Sequence, residues 1–258
     1  MSAAFRYRLI GKSINITQTD EKDKKVKRNV KSATIMTELI YFLTYNDVTV
    51  WNAIDVFNEI KDTHVKYVGI KDIGLSEEKI KKLHEVIKNA GKTSVLEVVS
   101  ATEEDNMRSA KMGIKLGVDY LIGGTYVEKI APMIRGTGVK YCPYVGRIVG
   151  HPCLLRGSVE EITKDAKTVE ELDVDGIDLL AYRYNGDVRM LIKSVKKAIR
   201  IPIIVAGSIN SVKRVHEVCE LGVWGFTVGT AVFDKEFVPN GSLSDQINFI
   251  LKETGKLG

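Results

Sequence analysis

The feature of the sequence that most constrains its fold is a stretch near the end, residues 201–233, which reads IPIIVAGSINSVKRVHEVCELGVWGFTVGTAVF. Two short apolar runs, Ile203–Ala206 and Gly225–Val228, each end at a pair of small residues. Between them, Ser211–Leu221 carries apolar residues at helical spacing and is followed by a glycine, as at many helix ends. The stretch therefore predicts a strand, a glycine turn, a helix, a second strand and a second glycine turn.

The two glycine turns are candidate anion-binding elements. Gly207 and Ser208 follow the first strand, and Gly229 and Thr230 follow the second. At the carboxyl ends of consecutive parallel strands, such turns direct backbone N–H groups toward an anion, and the N-terminus of the next helix assists them. We therefore predict that these four residues bind a phosphate. An ordinary strand–helix–strand unit, with glycines needed only for tight turns, is the alternative interpretation.

The same alternation of strand and helix runs through most of the chain. Before the stretch above, the predicted strands are Thr37–Thr44, Val65–Lys71, Ser94–Val99, Asp119–Ile122, Val139–Val145 and Gly176–Ala181. A segment with helical spacing follows each of them, and Ser242–Thr254 supplies the last helix. Eight such units predict an α/β fold, a (β/α)8 TIM barrel over residues 33–258. An open doubly wound sheet is less consistent with the sequence, because no GxGxxG follows the first strand.

The first 32 residues do not belong to the repeat. We predict that this N-terminal extension, residues 1–32, covers the amino end of the barrel or a subunit interface. Its segment Glu21–Val30, EKDKKVKRNV, carries much of the net charge of +5. A solvated lysine face explains this charge better than nucleic-acid binding does.

Composition narrows the class of protein. A chain of 258 residues with 44% apolar residues suits a single barrel of about 250 residues. Its three cysteines show no CxxC spacing, which suits a reducing cytosol, and no secretory h-region or run of about 18 apolar residues is present. We therefore expect a cytoplasmic protein without a membrane partner. A homo-oligomer is compatible with the sequence.

Alternation along the second and third predicted strands places a lysine and a glutamate inside the barrel. Val68 and Ile70 suit the layer that faces the helices, so Lys71 points inward at the carboxyl end of its strand. The same reasoning directs Glu97 and Val99 inward. A lysine in a partly desolvated interior can form a Schiff base with a carbonyl substrate or act as an acid or base. A structural ion pair within the barrel is the alternative.

Further candidate site residues lie on the sixth strand and in two loops. Asp178 has inward parity and is a candidate second acid or base. Arg183 lies just beyond it, and Arg147 and His151 belong to the loop GRIVGHPCLLRGS after the fifth strand. We predict that these last three form a substrate loop, although solvent-facing rim positions are the alternative. Because His151 is the one histidine of four that falls at this face, neither a metal nor another cofactor is expected.

Two segments resemble known barrels. Residues 201–233 resemble the phosphate site after strands seven and eight of the ribulose-phosphate-binding TIM barrels, among them thiazole synthase and several sugar-phosphate epimerases and aldolases. Residues 119–146, DYLIGGTYVEKIAPMIRGTGVKYCPYVG, are similar to the segment from strand four to strand five of the 2-keto-3-deoxy-6-phosphogluconate aldolases. Those aldolases carry a Schiff-base lysine on strand six, where this chain reads DGIDLLAYR. Schiff-base chemistry would therefore require Lys71 from a different strand.

Residues and resemblance together predict a TIM-barrel enzyme that acts on a small phosphorylated carbonyl compound, a sugar or keto-acid phosphate. The expected reaction is of the aldolase (lyase) or isomerase/epimerase type and uses Lys71, with Glu97 and Asp178 as the other catalytic candidates. Two alternatives remain open. One is a heterocycle-forming synthase resembling thiazole synthase, and the other is a non-catalytic barrel that binds a phosphorylated metabolite.

Overall fold

The computed structural model of the protein describes residues 36–100 and 102–257, and the predicted N-terminal extension lies outside them. Eight parallel strands form the central sheet: β1 Glu38–Phe42, β2 Tyr67–Lys71, β3 Thr93–Val98, β4 Tyr120–Gly123, β5 Lys140–Cys142, β6 Ile177–Leu179, β7 Ile203–Val205 and β8 Gly225–Val228. A parallel bridge between Tyr144 and Asp178 joins the β5 and β6 edges, where the Asp178 N–H donates to the Pro143 carbonyl at 2.8 Å. The predicted TIM barrel is confirmed.

Helices surround the strands. They are α1 Ala53–Ile60, α2 Glu77–Asn89, α3 Glu103–Leu116, α4 Val127–Ile134, α5 Val159–Glu170, α6 Val188–Ala198, α7 Val212–Leu221, α8 Thr230–Phe233 and α9 Leu243–Glu253. Short polar side chains cap the first turns of five of them: Ser76, Thr102, Ser158, Asp187 and Ser242. Gly117 and Gly222 end α3 and α7 in the left-handed conformation. No helix of the described ranges is long and apolar enough to cross a membrane.

Strand alternation divides the buried side chains into two layers. In β2, for example, Val68 and Ile70 belong to the core that faces the helices. The opposite faces of the strands fill the barrel interior with a second apolar cluster: Ile40, Phe42, Tyr67, Val95, Ile122, Cys142 and Ile204. The register pairs Lys71 with Glu97 at the carboxyl ends of β2 and β3. Val99, predicted to point inward, is buried with the helix-facing core, because β3 ends one residue earlier and the alternation stops there.

Three aromatic rings close the amino end of the barrel interior. The ring centres of Tyr67 and Trp224 lie 5.4 Å apart in an edge-on contact, and Trp224 stacks on Tyr120 at 5.6 Å. The ammonium groups of Lys66 and Lys140 lie 5.0 and 5.1 Å from the ring centres of Tyr67 and Tyr120. We call this cluster the aromatic base of the barrel.

Two short antiparallel hairpins stand at the opposite, carboxyl end. The first mouth hairpin, residues 44–49, follows β1 directly, and the second mouth hairpin, residues 147–156, follows β5. The sequence alone predicts a loop at the second position and no separate element at the first. In the turn of the first mouth hairpin, Asn46 and Asp47 have φ values of 47° and 66°, a left-handed conformation that these two residue types tolerate.

Candidate active site

A cavity of about 540 Å³ opens at the carboxyl end of the barrel, the end that carries the active sites of TIM-barrel enzymes. Seven of the predicted site residues line it: Lys71, Glu97, Arg183, Gly207, Ser208, Gly229 and Thr230. They come from five different strand ends or turns, and the closed barrel brings them together. The first mouth hairpin adds Asn46 and Asp47 to the wall.

Asp47 joins two cations in this cavity. Its Oδ1 atom lies 2.7 Å from Lys71 Nζ and accepts a hydrogen bond from Arg183 Nη2 at 2.8 Å, and its Oδ2 atom lies 2.5 Å from Arg183 Nη1. The three side chains are nearly buried, with exposed fractions of 8% for Lys71, 9% for Asp47 and 16% for Arg183. One carboxylate therefore pairs with an ammonium and with a guanidinium, and only its Oδ1 atom accepts a hydrogen bond, since the contact of Oδ2 with Arg183 lacks hydrogen-bond geometry.

Glu97 is a second carboxylate beside Lys71. Its Oε2 atom lies 3.3 Å from Lys71 Nζ, and its Oε1 atom accepts a hydrogen bond from the Tyr144 hydroxyl at 2.5 Å. Tyr144 is buried just beyond β5, and its hydroxyl binds the glutamate oxygen that does not contact the lysine. Glu97 is thus fixed at both oxygens.

The surrounding charges keep Lys71 protonated. Burial alone would lower the pKa of Lys71, yet this pKa is raised because the Glu97 and Asp47 carboxylates together outweigh burial and the nearby Arg183. Burial also opposes a charge on Asp47, but Arg183 and Lys71 hold its pKa well below the usual range. The cavity therefore presents an ammonium and a guanidinium that both stay charged.

Asp178 lies inside the barrel but does not line the cavity. Its neighbours in β6, Ile177 and Leu179, belong to the helix-facing core, so its own side chain faces the interior. It is fully buried, and neither carboxyl oxygen has a hydrogen-bond partner among the described residues. Burial raises the pKa of Asp178 well above its ordinary value, and the charge of Glu97 raises it further. Its surroundings therefore favour the neutral carboxylic acid form of Asp178.

Both glycine turns make close contacts that exclude a side chain. Gly207 has a φ of 88°, and a Cβ atom there would lie 2.7 Å from Cγ of Arg183. At Gly229 a Cβ atom would lie 2.6 Å from the Thr44 hydroxyl oxygen. Within the described ranges, the backbone N–H groups of Gly207 and Ser208 have no acceptor. They can therefore donate to an anion in the cavity.

The first mouth hairpin connects the second glycine turn with the charged centre. The N–H of Asn46 donates to the Thr230 hydroxyl oxygen at 3.0 Å. Because this bond uses a lone pair of the hydroxyl, the Thr230 proton remains available to an anion. The next residue along the hairpin is Asp47, which pairs with Lys71. Asn46 and Asp47 therefore link the candidate phosphate-binding residue Thr230 to Lys71.

Two predicted site residues lie elsewhere. Arg147 and His151 are exposed in the second mouth hairpin and do not line the cavity, whereas Pro152 and Leu154 of the same hairpin do. No group of three or more His, Cys, Asp or Glu side chains in residues 36–100 and 102–257 is arranged to hold a metal ion. The charged centre of the cavity consists of Asp47, Lys71, Glu97 and Arg183.

Asp47 is the functional candidate that the sequence analysis missed. It follows the first strand in a segment without periodicity, so alternation assigns it no direction. The Asn-Asp pair before Val48 is typical of a left-handed two-residue turn, and this is the signal that would have located a hairpin tip at the mouth.

Comparison with known proteins identifies the fold but no sequence family. No protein-family model matches the sequence, and no curated protein matches it. Many solved structures do match it. The fold is that of a TIM barrel. Orotidine 5'-phosphate decarboxylase from Pyrococcus horikoshii OT3 matches with a TM-score of 0.62 at 15% identity, over 84% of this chain and 99% of that chain.

Two other matches carry different chemistry on the same fold. N-acetylmannosamine-6-phosphate 2-epimerase from Clostridium perfringens has a TM-score of 0.58 at 14% identity, over 79% of this chain and 93% of that chain. The YdjI aldolase from Escherichia coli K12 has a TM-score of 0.58 at 14% identity, over 86% of this chain and 93% of that chain. At these identities the likeness establishes the fold alone. The TIM-barrel fold that the resemblance to ribulose-phosphate-binding barrels implied is confirmed.

Proposed function

We propose that the protein is an enzyme that acts on a small phosphorylated carbonyl compound and catalyses proton transfer next to the carbonyl group. Isomerase, epimerase and aldolase reactions all include such a step. The observation that carries the proposal is the placement of Lys71, paired with Asp47 and Glu97, in the same cavity as the two glycine turns. A decarboxylase, an epimerase and an aldolase share the fold, which is compatible with this range of chemistry.

The glycine turns supply the phosphate subsite in this proposal. The free N–H groups of Gly207 and Ser208 and the hydroxyl of Thr230 donate to the phosphate oxygens. Phosphate binding at a distance from the reacting carbons is useful, because its binding energy orients the carbonyl group toward the charged centre.

Lys71 then acts on the carbonyl oxygen as an acid. A base removes a proton from the neighbouring carbon, the electron pair moves onto the oxygen, and the Lys71 ammonium stabilises or protonates the resulting enolate. In this proposal Glu97, a carboxylate of the cavity wall beside Lys71, acts as the base. A Schiff base is less consistent with this centre, because the attacking amine must be neutral and two carboxylates favour the ammonium form.

The proposal is tested with a panel of sugar and keto-acid phosphates in deuterated water. We expect mass spectrometry to show deuterium incorporation next to the carbonyl group of at least one compound. Lys71→Met should slow that exchange by about 10²–10⁴-fold, the usual contribution of a general acid or base. Lys66→Met, which removes a lysine at the amino end of the barrel, serves as the matched control and should leave the rate unchanged.

The same panel separates the alternatives. Borohydride should trap no adduct on Lys71, and a trapped adduct would instead support the covalent aldolase or the heterocycle-forming synthase. Binding of a phosphorylated compound without exchange or turnover would identify a non-catalytic binding barrel. If none of the compounds binds, the proposed phosphate subsite is wrong.

A further inference from the structure

The first mouth hairpin is attached to the barrel at three points. The Thr49 hydroxyl accepts from the backbone N–H of Lys71 at 2.8 Å and donates to its carbonyl at 3.0 Å. Gly74 approaches so closely that a Cβ atom there would lie 2.4 Å from the Thr49 carbonyl oxygen. On the other side, the N–H of Asn46 binds the Thr230 hydroxyl. The tip of the hairpin is thus held from both sides, and Asp47 is a fixed carboxylate rather than a mobile one.

The contacts of Asp47 are unusual for a loop residue. Its two oxygens bind an ammonium from β2 and a guanidinium from the turn after β6, at 2.5 to 2.8 Å. Lys71 and Arg183 carry the same charge and would repel each other in a nearly buried site without a carboxylate between them.

We propose that Asp47 is a positioning residue, which holds Lys71 Nζ and the Arg183 guanidinium side by side and retains Lys71 as an ammonium ion in the cavity. This assignment goes beyond the proposed reaction, since it concerns the state of the centre before any substrate is bound. It concerns Asp47 alone, because Glu97 also touches Lys71 but makes no contact with Arg183 that satisfies an ion-pair distance.

The groups that face Lys71 explain why Asp47 decides its state. Glu97 approaches from β3, Arg183 from the turn after β6, Asp178 from β6 and Cys153 from the second mouth hairpin. Burial favours the neutral form of Asp178 and raises the pKa of the Cys153 thiol to about 11, so burial opposes a negative charge on both groups. Without Asp47, Glu97 would be the one carboxylate among these groups that raises the pKa of Lys71, while both burial and the charge of Arg183 lower it. The pKa of Lys71 would then fall.

The experiment is competitive acetylation of the whole protein with acetic anhydride over a range of pH, with site-resolved mass spectrometry of Lys71. The pH dependence of the labelling rate gives the fraction of Lys71 that is a neutral amine. The rate on the plateau at high pH gives the access of the reagent to Lys71. In the wild type we expect the labelling rate at Lys71 to level off at a higher pH than at exposed lysines, because the two carboxylates favour the ammonium form. In Asp47→Asn the midpoint should fall by at least about one pH unit, which means about tenfold faster labelling at a fixed lower pH.

Controls distinguish charge from access and from misfolding. Asp55→Asn, at an exposed position of α1, should leave the profile unchanged. Faster labelling of Asp47→Asn at every pH with the same midpoint would mean only an opened cavity and would overturn the proposal. Should Asp47→Asn not fold, the wild-type profile decides, since a Lys71 midpoint below that of the exposed lysines is incompatible with the proposed role. No substrate is needed, so this result and the failure of the proposed reaction remain distinguishable.

Discussion

At the level of single residues, Asp178 and Lys71 are both buried inside the barrel, yet their surroundings favour opposite charge states. Lys71 has two carboxylates within 3.3 Å and stays charged. Asp178 has no hydrogen-bond partner among the described residues, and burial favours its neutral form. Burial is therefore not decisive by itself, and the presence of a charged partner determines the outcome.

The neutral state of Asp178 makes stability depend on pH. Its folded-state pKa is raised above that of the unfolded chain, so its contribution to stability is fully present at pH values below the unfolded pKa and is lost as the pH rises toward the folded pKa. Asp178→Asn remains neutral and avoids this loss. We expect the variant to melt higher than wild type at pH 7, by about 2–4 °C for each 1 kcal/mol, and to show no such gain near pH 3.

Thermal unfolding at the two pH values checks this expectation. A difference in pKa of one between the folded and unfolded states corresponds to about 1.4 kcal/mol. Asp55→Asn, an exposed aspartate, is the matched control. An Asp178→Asn variant that melts lower than wild type at both pH values would show that the carboxyl group has a stabilising contact instead.

At this scale the sequence allowed a partial prediction of the site. Alternation in β2 and β3 was sufficient to place Lys71 and Glu97 inside the barrel, because a strand has only two faces. It could not reveal Asp47, whose direction depends on a turn conformation. It also could not show that Asp178 has no hydrogen-bond partner within residues 36–100 and 102–257, since that depends on which side chains of β5 and β3 reach it across the interior.

At the level of elements, the second glycine turn and the first mouth hairpin share Thr230. Thr230→Val keeps the shape of the side chain but removes the hydroxyl that accepts from Asn46 and is available to an anion. Thr227→Val is a matched control, because Thr227 lines the same cavity on β8 and makes no side-chain hydrogen bond within the described residues. We expect Thr230→Val to weaken orthophosphate binding by about tenfold, as for a lost bond to a charged group.

Titration calorimetry with orthophosphate measures this effect in both variants. Equal affinities for Thr230→Val and the wild type would place the anion away from this turn. Equal losses in the two threonine variants would point to a general disturbance of the cavity rather than to a specific contact.

The contact between Gly207 and Arg183 predicts a loss of stability. Gly207→Ala combines two costs, because φ is 88° and the added Cβ atom would lie 2.7 Å from Arg183 Cγ. Gly136→Ala isolates the first cost, since Gly136 has a φ of 80° and nothing lies within 4 Å of its Cβ position. We expect both variants to lose about 1–2 kcal/mol from the left-handed backbone, and Gly207→Ala to lose about 1–3 kcal/mol more from overpacking.

Urea unfolding of the two alanine variants measures the difference. If the two free energies of unfolding agree, Arg183 moves aside without cost, and the guanidinium is held less firmly than its contacts with Asp47 indicate.

Helices and barrel strands were predictable as elements, whereas the mouth hairpins were not. Capping residues such as Ser158 and Gly222 mark helix ends locally, and apolar periodicity marks the faces. The strands of the hairpins are two or three residues long, which is too short for a periodic signal. Their pairing depends on contacts with the barrel, including those of Thr49 and Asn46 with β2 and α8.

At the level of the whole molecule, every residue assigned to the site belongs to the described barrel. The predicted extension, residues 1–32, lies outside the described residues. We expect a variant lacking these residues to bind orthophosphate as tightly as the full chain, while its solubility or assembly changes. Calorimetry and size-exclusion chromatography on both proteins test this. A truncated chain that is still folded but has lost anion binding would assign the extension a part in the site.

The aromatic base also determines how molecules pass through the barrel. Tyr67, Tyr120 and Trp224 pack together at the amino end, and among the described residues the cavity that contains Lys71 opens at the carboxyl end. In a cavity that opens at one end, a compound bound near Lys71 cannot leave while a second compound occupies the space above it. A reaction with two substrates or two products would therefore follow a compulsory order, in which the molecule that enters first departs last, and product inhibition patterns would display that order directly.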